Sequence, residues 1–228
     1  MNAATGALAF LLCAGFFYWR YVWFFRNPER FPPPQPAILS PADGTVVYVK
    51  RIDPKQDVLV IKKGLQATIS DITHQDMQLP KVLIGIFMSP FDVHYNRAPI
   101  TGTVNLIKHY PSNGKNLSMW CMHLRTLLKR APYYRGSRHL VQNERTVTKI
   151  NGSYNEQEMS CYVIQIAAKS VNGIDSYMKE GESVQRGAIF GMIRIGSQVD
   201  LVVPWQDGMQ VRASPGDRVK AGESILIQ

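Results

Sequence analysis

Short apolar runs, each closed by a turn, are what most limit the folds open to this chain. Residues 45–49 (Thr-Val-Val-Tyr-Val), 58–62 (Val-Leu-Val-Ile-Lys), 146–150 (Thr-Val-Thr-Lys-Ile) and 162–166 (Tyr-Val-Ile-Gln-Ile) are short and rich in β-branched residues, the composition of strands. Residues 82–88 (Val-Leu-Ile-Gly-Ile-Phe-Met) are apolar apart from one glycine and read as a strand buried on both faces. Residues 103–107, 189–195, 199–203 and 224–227 continue the pattern, and 118–129 reads as one short helix. Seventeen glycines and fourteen prolines supply the turns. The expectation is a mainly β (β-rich α+β) domain of antiparallel strands with few short helices. One loose echo stands out: residues 179–187 (Lys-Glu-Gly-Glu-Ser-Val-Gln-Arg-Gly) resemble 215–222 (Pro-Gly-Asp-Arg-Val-Lys-Ala-Gly), and both read as a turn entering a strand.

The N-terminus is different. Residues 3–19 carry no charge and are rich in Ala, Leu and Phe; Arg20 interrupts, and 21–25 resume the apolar run. The stretch approaches the roughly 20 residues that a membrane helix needs. Trp19, Tyr21 and Trp23 have the look of an interfacial belt, with Arg20 able to reach the headgroups. A secretory signal would carry a basic stretch ahead of its apolar core, and nothing basic precedes Ala3. Arg20, Arg26 and Arg30 all follow the run, which predicts a cell-membrane anchor with the main domain on the cytoplasmic face. Residues 31–36 (Phe-Pro-Pro-Pro-Gln-Pro) read as a stiff extended spacer. The chain divides on this reading into an anchor (1–26), a proline-rich linker (27–37) and one main domain (38–228).

With 45% hydrophobic and 19% charged residues, the 228-residue chain is globular rather than disordered. A net charge of +9 favours an anionic partner without choosing between nucleic acid and an acidic membrane. Cys13, Cys121 and Cys161 form neither a disulfide framework nor a metal spacing. His74, His109, His123 and His139 show no metal pattern either and read as surface or structural. Arg130, Arg135 and Arg138, interleaved with Tyr133 and Tyr134, read equally as a headgroup-facing loop or a solvated basic one.

Three segments carry chemistry. Gly196-Ser197 lies within 190–200 (Phe-Gly-Met-Ile-Arg-Ile-Gly-Ser-Gln-Val-Asp). Glycine opens its carbonyl to attack, and a hydroxyl held close makes that attack effectively unimolecular. Taken alone, such a pair is an ordinary turn. His94, in 91–99 (Phe-Asp-Val-His-Tyr-Asn-Arg-Ala-Pro), follows the buried strand and is suited to proton transfer; a lone histidine is more often structural. Asp43, in 39–45 (Leu-Ser-Pro-Ala-Asp-Gly-Thr), reads on its own as a turn aspartate.

Together the three segments resemble the phosphatidylserine decarboxylase family in its short bacterial and archaeal form, from about residue 27 to the C-terminus. The resemblance implies a self-processing enzyme. Ser197 attacks the Gly196 carbonyl, the chain parts into 1–196 and 197–228, and Ser197 becomes a covalent pyruvoyl group. That cofactor forms a Schiff base with the substrate amine and accepts electrons as carbon dioxide leaves, turning phosphatidylserine into phosphatidylethanolamine. His94 matches the histidine of decarboxylation, and Asp43 the carboxylate that orients the cleavage machinery. Longer members carry a second histidine where this chain has Arg97. Arginine stays protonated and cannot be that base, so the base for cleavage stays open: either His94 serves both steps, or Arg97 stabilises the oxyanion or binds the lipid phosphate. Residues 143–145 (Asn-Glu-Arg) resemble a further family segment and read as support. The partners implied are a membrane phospholipid and the chain's own two cleavage products, with higher homo-oligomers left open.

Two readings compete with phosphatidylserine. One is a serine headgroup on an archaeal ether lipid. The other is a non-enzymatic biotinyl- or lipoyl-like module on the membrane, for which no lysine stands in an obvious Met-Lys-Met context. A nucleic-acid-binding barrel lacks the interleaved aromatic platform that stacking needs.

Overall fold

The computed structural model describes residues 3–53, 80–112, 114–169, 173–194 and 196–228. The expected strand at 58–62, His74 and Ile195 lie outside these residues. The chain opens with helix α1 (Ala3–Tyr18), continued by a π-helical turn (Trp19–Trp23). This 21-residue apolar helix (3–23) is long enough to cross a bilayer, and none of its most apolar stretch is buried by the rest of the chain. Strands β1 (Ile38–Leu39), β2 (Gly44–Ile52), β3 (Lys81–Met88), β4 (Tyr95–Arg97) and β5 (Gly102–Tyr110) follow. Next come helices α2 (Trp120–Leu127) and α3 (His139–Gln142). Strands β6 (Arg145–Tyr154), β7 (Gln157–Ala167), β8 (Ile174–Ser176), β9 (Ser183–Val184), β10 (Ile189–Ile193), β11 (Ser197–Pro204), β12 (Arg218–Val219) and β13 (Ile225–Ile227) complete the fold.

The mainly β expectation holds. One curled antiparallel sheet runs β12-β2-β3-β11-β7-β6-β5-β9, beside a three-stranded sheet β4-β10-β8 and the pair β1-β13. Every residue of β3 and of β11 is buried. They lie at the centre of the large sheet with both faces covered, which is why their sequences are apolar almost without alternation. Register is continuous from Ser197 opposite Met88 to Pro204 opposite Lys81. On its other side β11 pairs with β7, from Ser197 opposite Ala167 to Val202 opposite Tyr162.

The echo between 179–187 and 215–222 has a structural meaning. It produces β9 and β12, the two edges of the large sheet. The 215–222 segment, read as a turn cluster, contains the short strand β12, because two residues there find the open edge of β2. The glycines closing the two echoes meet: a Cβ on Gly222 would lie 3.3 Å from the Gly187 Cα, and both take left-handed φ angles of +75° and +83°. The sheet curls until its edges nearly touch there.

The proline segment is extended but not free-standing. The Arg186 guanidinium donates to the carbonyls of Pro33, Gln35 and Ala37, laying the segment along the domain. Phe24 and residues 26–31 are likewise held against the domain, a feature that bears on the site.

Candidate active site

Ser197 is the first residue of β11, paired on both sides and fully buried. Its hydroxyl donates to the Met88 sulfur at 3.3 Å. Among the described residues, no ionisable side chain hydrogen-bonds to it. Gly196, just before, has φ +58°. A Cβ there would meet only the Ala168 Cβ at 3.8 Å, so backbone angle rather than space calls for glycine. Gly196 also lies on the wall of an open pocket shared with Phe87, Met119, Trp120, His123 and Lys169. One side of the Gly196-Ser197 bond is therefore packed in the sheet, and the other is reachable.

His94 is fully buried between β3 and β4. Its Nδ1 lies 2.9 Å from the Asp92 carbonyl, which can only accept, so Nδ1 carries the proton. Nε2 is buried and has no hydrogen-bond partner among the described residues. The ring packs against Phe24, just past the π-helical turn, with centroids 4.3 Å apart and planes tilted by 37°. Burial pulls the imidazole pKa down to about 4. The result is a neutral histidine at pH 7 with an unused lone pair. The Asp92 side chain turns away to the Ser89 amide and to Arg218. The His94 carbonyl accepts from the Ile193 amide at 3.3 Å, tying this segment to the strand that leads to Gly196.

Asn96, two residues on, is fully buried and reaches the same sulfur as Ser197: its Nδ2 lies 3.8 Å from Met88 Sδ and 3.4 Å from the Pro41 carbonyl. Its Oδ1 accepts from Gln165 at 2.8 Å, while Gln165 Oε1 is buried with no partner among the described residues. Sequence reasoning passed over Asn96, although it stands inside the quoted 91–99 segment, and missed Gln165 altogether.

On the opposite face of β11, side chains alternate into a second polar cluster. Gln198 Nε2 donates to the Tyr48 hydroxyl at 2.6 Å and to Asp200 Oδ1 at 2.7 Å; Tyr48 donates to Asp200 Oδ2 at 2.7 Å. His139 Nε2 lies 3.1 Å from Gln198 Oε1. Burial raises Asp200 to about 6 and lowers His139 to about 4. His139 is thus a buried structural group, not a surface one. The Tyr48 ring fills the space over Gly85, where a Cβ would fall 2.3 Å from Cζ. Asn143 supports the other neighbour of Ser197: it exchanges hydrogen bonds with both backbone groups of Leu117 and donates to the Ala167 carbonyl at 2.7 Å.

The structure joins Asn96 to Ser197 through the Met88 sulfur and ties the His94 backbone to the strand that leads to Gly196, but places Asp43 and Arg97 in a different cluster. Arg30 Nη2 contacts both Asp43 oxygens, and the Ala221 amide donates to Asp43 Oδ1 at 2.7 Å. Burial nevertheless leaves the Asp43 pKa above its ordinary value, against the pull of these donors. Arg30 also reaches Glu223 at 3.3 Å. Arg97 donates to the Gly187 carbonyl at 2.8 Å and to Asn27 Oδ1 at 2.7 Å. Neither residue hydrogen-bonds to His94 or Ser197. Phe24, Asn27 and Arg30, all from the segment leaving the apolar helix, thus cover His94, Arg97 and Asp43 respectively. Nothing in their sequence signalled these contacts, which depend on how the segment lies on the domain.

A keto group at position 197 suits these surroundings. Residue 197 is fully buried at the head of β11, and the Asn96 amide nitrogen, a hydrogen-bond donor, reaches the same Met88 sulfur as the residue 197 side chain.

Comparison with known proteins points one way. A family model described as phosphatidylserine decarboxylase matches residues 17–227. A Syntrophus aciditrophicus phosphatidylserine decarboxylase proenzyme is 35% identical over 205 residues, covering 90% of this chain and 77% of the relative. The phosphatidylserine decarboxylase proenzyme of Carboxydothermus hydrogenoformans is 31% identical over 227 residues, 99% of this chain and 85% of its own. A Methanothermobacter thermautotrophicus protein with the provisional name archaetidylserine decarboxylase proenzyme is 36% identical over 210 residues, 90% of this chain and 78% of its own.

Proposed function

Because the chain belongs to the phosphatidylserine decarboxylase family, a family of carboxy-lyases, we propose that it processes itself at Gly196-Ser197 and then decarboxylates phosphatidylserine to phosphatidylethanolamine. The observation that carries the cleavage site is the pair itself: a serine at the head of a doubly paired strand, behind a glycine at φ +58° that borders an open pocket.

In the first stage the Ser197 oxygen attacks the Gly196 carbonyl carbon and the C–N bond breaks, leaving an ester and a free amine on Ser197. Loss of the Ser197 α-proton expels the Gly196 carboxylate. Water then replaces the nitrogen, which leaves as ammonia, and residue 197 becomes a pyruvoyl cap. A proton acceptor is needed twice. His94 Nε2 is a neutral, buried, unpaired imidazole nitrogen, whereas Asp43 is engaged by Arg30 and Arg97 is a cation. We assign the acceptor role to His94. Asp43 is a positioning residue: through the Ala221 amide and Arg30 it fixes the 220–223 turn and the segment that covers the site.

In the second stage the pyruvoyl group would supply a ketone that binds the substrate amine and accepts the electron pair freed as carbon dioxide leaves. His94 manages the proton at that carbon. Asn96 holds the Met88 sulfur and the Gln165 amide in place around residue 197. Arg97 holds Asn27 and Gly187 and so keeps the cover segment seated. Large and small products stay associated as a heterodimer. The arginines that follow the apolar helix favour a cytoplasmic domain (38–228) behind an anchor (1–26) and a laid-down linker (27–37).

The 36% identity to the archaetidylserine protein favours a second substrate, the same headgroup on ether-linked tails. Intact-mass analysis of the purified protein should give 1–196 and a fragment from 197 that is lighter than its encoded mass by one ammonia. Ser197→Ala should stay whole and inactive. A wild-type chain that remains intact yet decarboxylates would overturn the reading. Chromatography after incubation with each lipid decides between the tails.

A further inference from the structure

Helix α2 is apolar on two sides. Met119 and Met122 face the core, but Trp120, Leu124, Leu127 and Leu128, at spacings i, i+4, i+7 and i+8, form a stripe pointing outward. Trp120 is 60% exposed and Leu127 68%. A soluble surface gains nothing from such a stripe. Across the pocket at Gly196 lies a second apolar projection, the 90–91 turn, whose Phe91 is 63% exposed. This turn is continuous with the membrane helix: Phe91 sits 6.1 Å from Trp19, and Arg26 donates to its carbonyl at 2.6 Å. Pro90 and Trp120 both line the pocket, so the apolar front runs from the anchor, past the pocket mouth, to the end of α2.

Charge agrees with this placement. From residue 93 to 143 there is no aspartate or glutamate, and Lys115, Lys129, Arg130, Arg135 and Arg138 are exposed in that stretch. The two tyrosines of the loop turn inward instead, Tyr133 beneath Gly216 and Tyr134 against Tyr48, while the loop's arginines stay outside. An apolar stripe edged by cations is the pattern of a helix lying in an anionic bilayer interface.

We propose that the outward face of α2, together with Phe91, is a second membrane contact, which inserts into the bilayer that holds the N-terminal helix and opens the Gly196 pocket at headgroup level. The surface deepens the proposed function, because a serine phospholipid would then enter the pocket without leaving the membrane. Its test does not depend on that function.

The full chain carrying Leu127→Cys, with Cys13 and Cys121 replaced by serine, takes an environment-sensitive fluorophore in nanodiscs of phosphatidylglycerol and phosphatidylcholine. The control site is Glu158→Cys, exposed and about 30 Å further along β7 from the residue opposite Ser197. Lipids spin-labelled high on the acyl chain should quench the label at 127 and leave the one at 158 bright, equally in a Ser197→Ala background that cannot be processed. Equal quenching at the two sites would overturn the proposal. So would crosslinking of two copies through position 127 without quenching, which assigns the face to a second chain. In active protein, Leu127→Ser with Leu128→Ser should lower turnover of bilayer substrate by about tenfold or more and spare a monomeric short-chain lipid with the same headgroup. An unchanged bilayer rate also counts against it.

Discussion

Arg30 holds Asp43 through one nitrogen, with Nη2 at 3.0 Å from Oδ1 and 2.8 Å from Oδ2. The arginine side chain is 5% exposed. The contact joins the segment that leaves the membrane helix to the turn that opens the catalytic domain, and it occupies the carboxylate that the family resemblance gives to cleavage.

Arg30→Met therefore strands a buried carboxylate. Removing one partner of such a pair costs about 3–5 kcal/mol, and the Asp43→Asn, Arg30→Met double variant should recover part of that in a denaturation cycle. Additive losses would show that the pair is not coupled. The same variants separate two roles in processing. If Asp43 works by holding the segment, Arg30→Met and Asp43→Asn slow the cut together; a cut blocked by Asp43→Asn alone makes Asp43 a direct participant.

His94→Gln keeps the size of the buried group and removes its basic nitrogen. Self-cleavage should slow, and decarboxylation by whatever cut protein forms should fall by about 10²–10⁴-fold, the usual worth of a positioned acid–base group. Activity within a factor of a few of wild type would remove His94 from the chemistry.

Gly196→Ala has room but the wrong backbone. A left-handed angle costs a residue with a side chain about 1–2 kcal/mol, while the nearest atom to the new Cβ is 3.8 Å away. The variant should fold and be processed more slowly, measured as the half-time for appearance of the small fragment. Gly85→Ala should behave differently. Its Cβ would run into the Tyr48 ring and break the hydrogen bonds to Gln198 and Asp200, so loss of stability should precede any effect on the cut.

Three buried groups give the stability a worked pH dependence. His94 and His139 fall from 6.5 to about 4 on folding. Between those values the unfolded chain binds more protons, so stability is lost as pH drops from about 6.5 towards 4. Asp200 rises from 3.8 to about 6. There the folded chain binds more protons, and stability declines as pH rises across that window. Asp43, also raised by burial, acts in the same direction as Asp200, but the two histidines outweigh these carboxylates, so detergent-solubilised protein should melt lower at pH 5 than at pH 7. Asp200→Asn should steepen that acid loss. A flatter profile in Asp200→Asn would reverse the assignment.

Much of this was readable in the chain. Residues 82–88 and 199–203 announce themselves because a strand covered on both faces cannot alternate, and the turn-strand echo marks two matching sheet edges. The glycine-serine pair and His94 stand out because their motifs are local. What stayed hidden is tertiary. β1, β4 and β8 are two or three residues long and exist only because a neighbour offers its edge. Gln198 meets His139 across 59 positions, and Arg30 reaches Asp43 only when the linker lies down. Residue types at those positions are ordinary, so no pattern in the string distinguishes them.

The sequence beyond residue 196 is sewn into the molecule at three separate places: β11 between β3 and β7, β12 along β2, and β13 along β1. A single scission at its start would sever the backbone and release nothing. Prising the short piece loose would mean dismantling the central strands, so each molecule would keep the prosthetic group made from its own serine for life, with no loading step and no exchange.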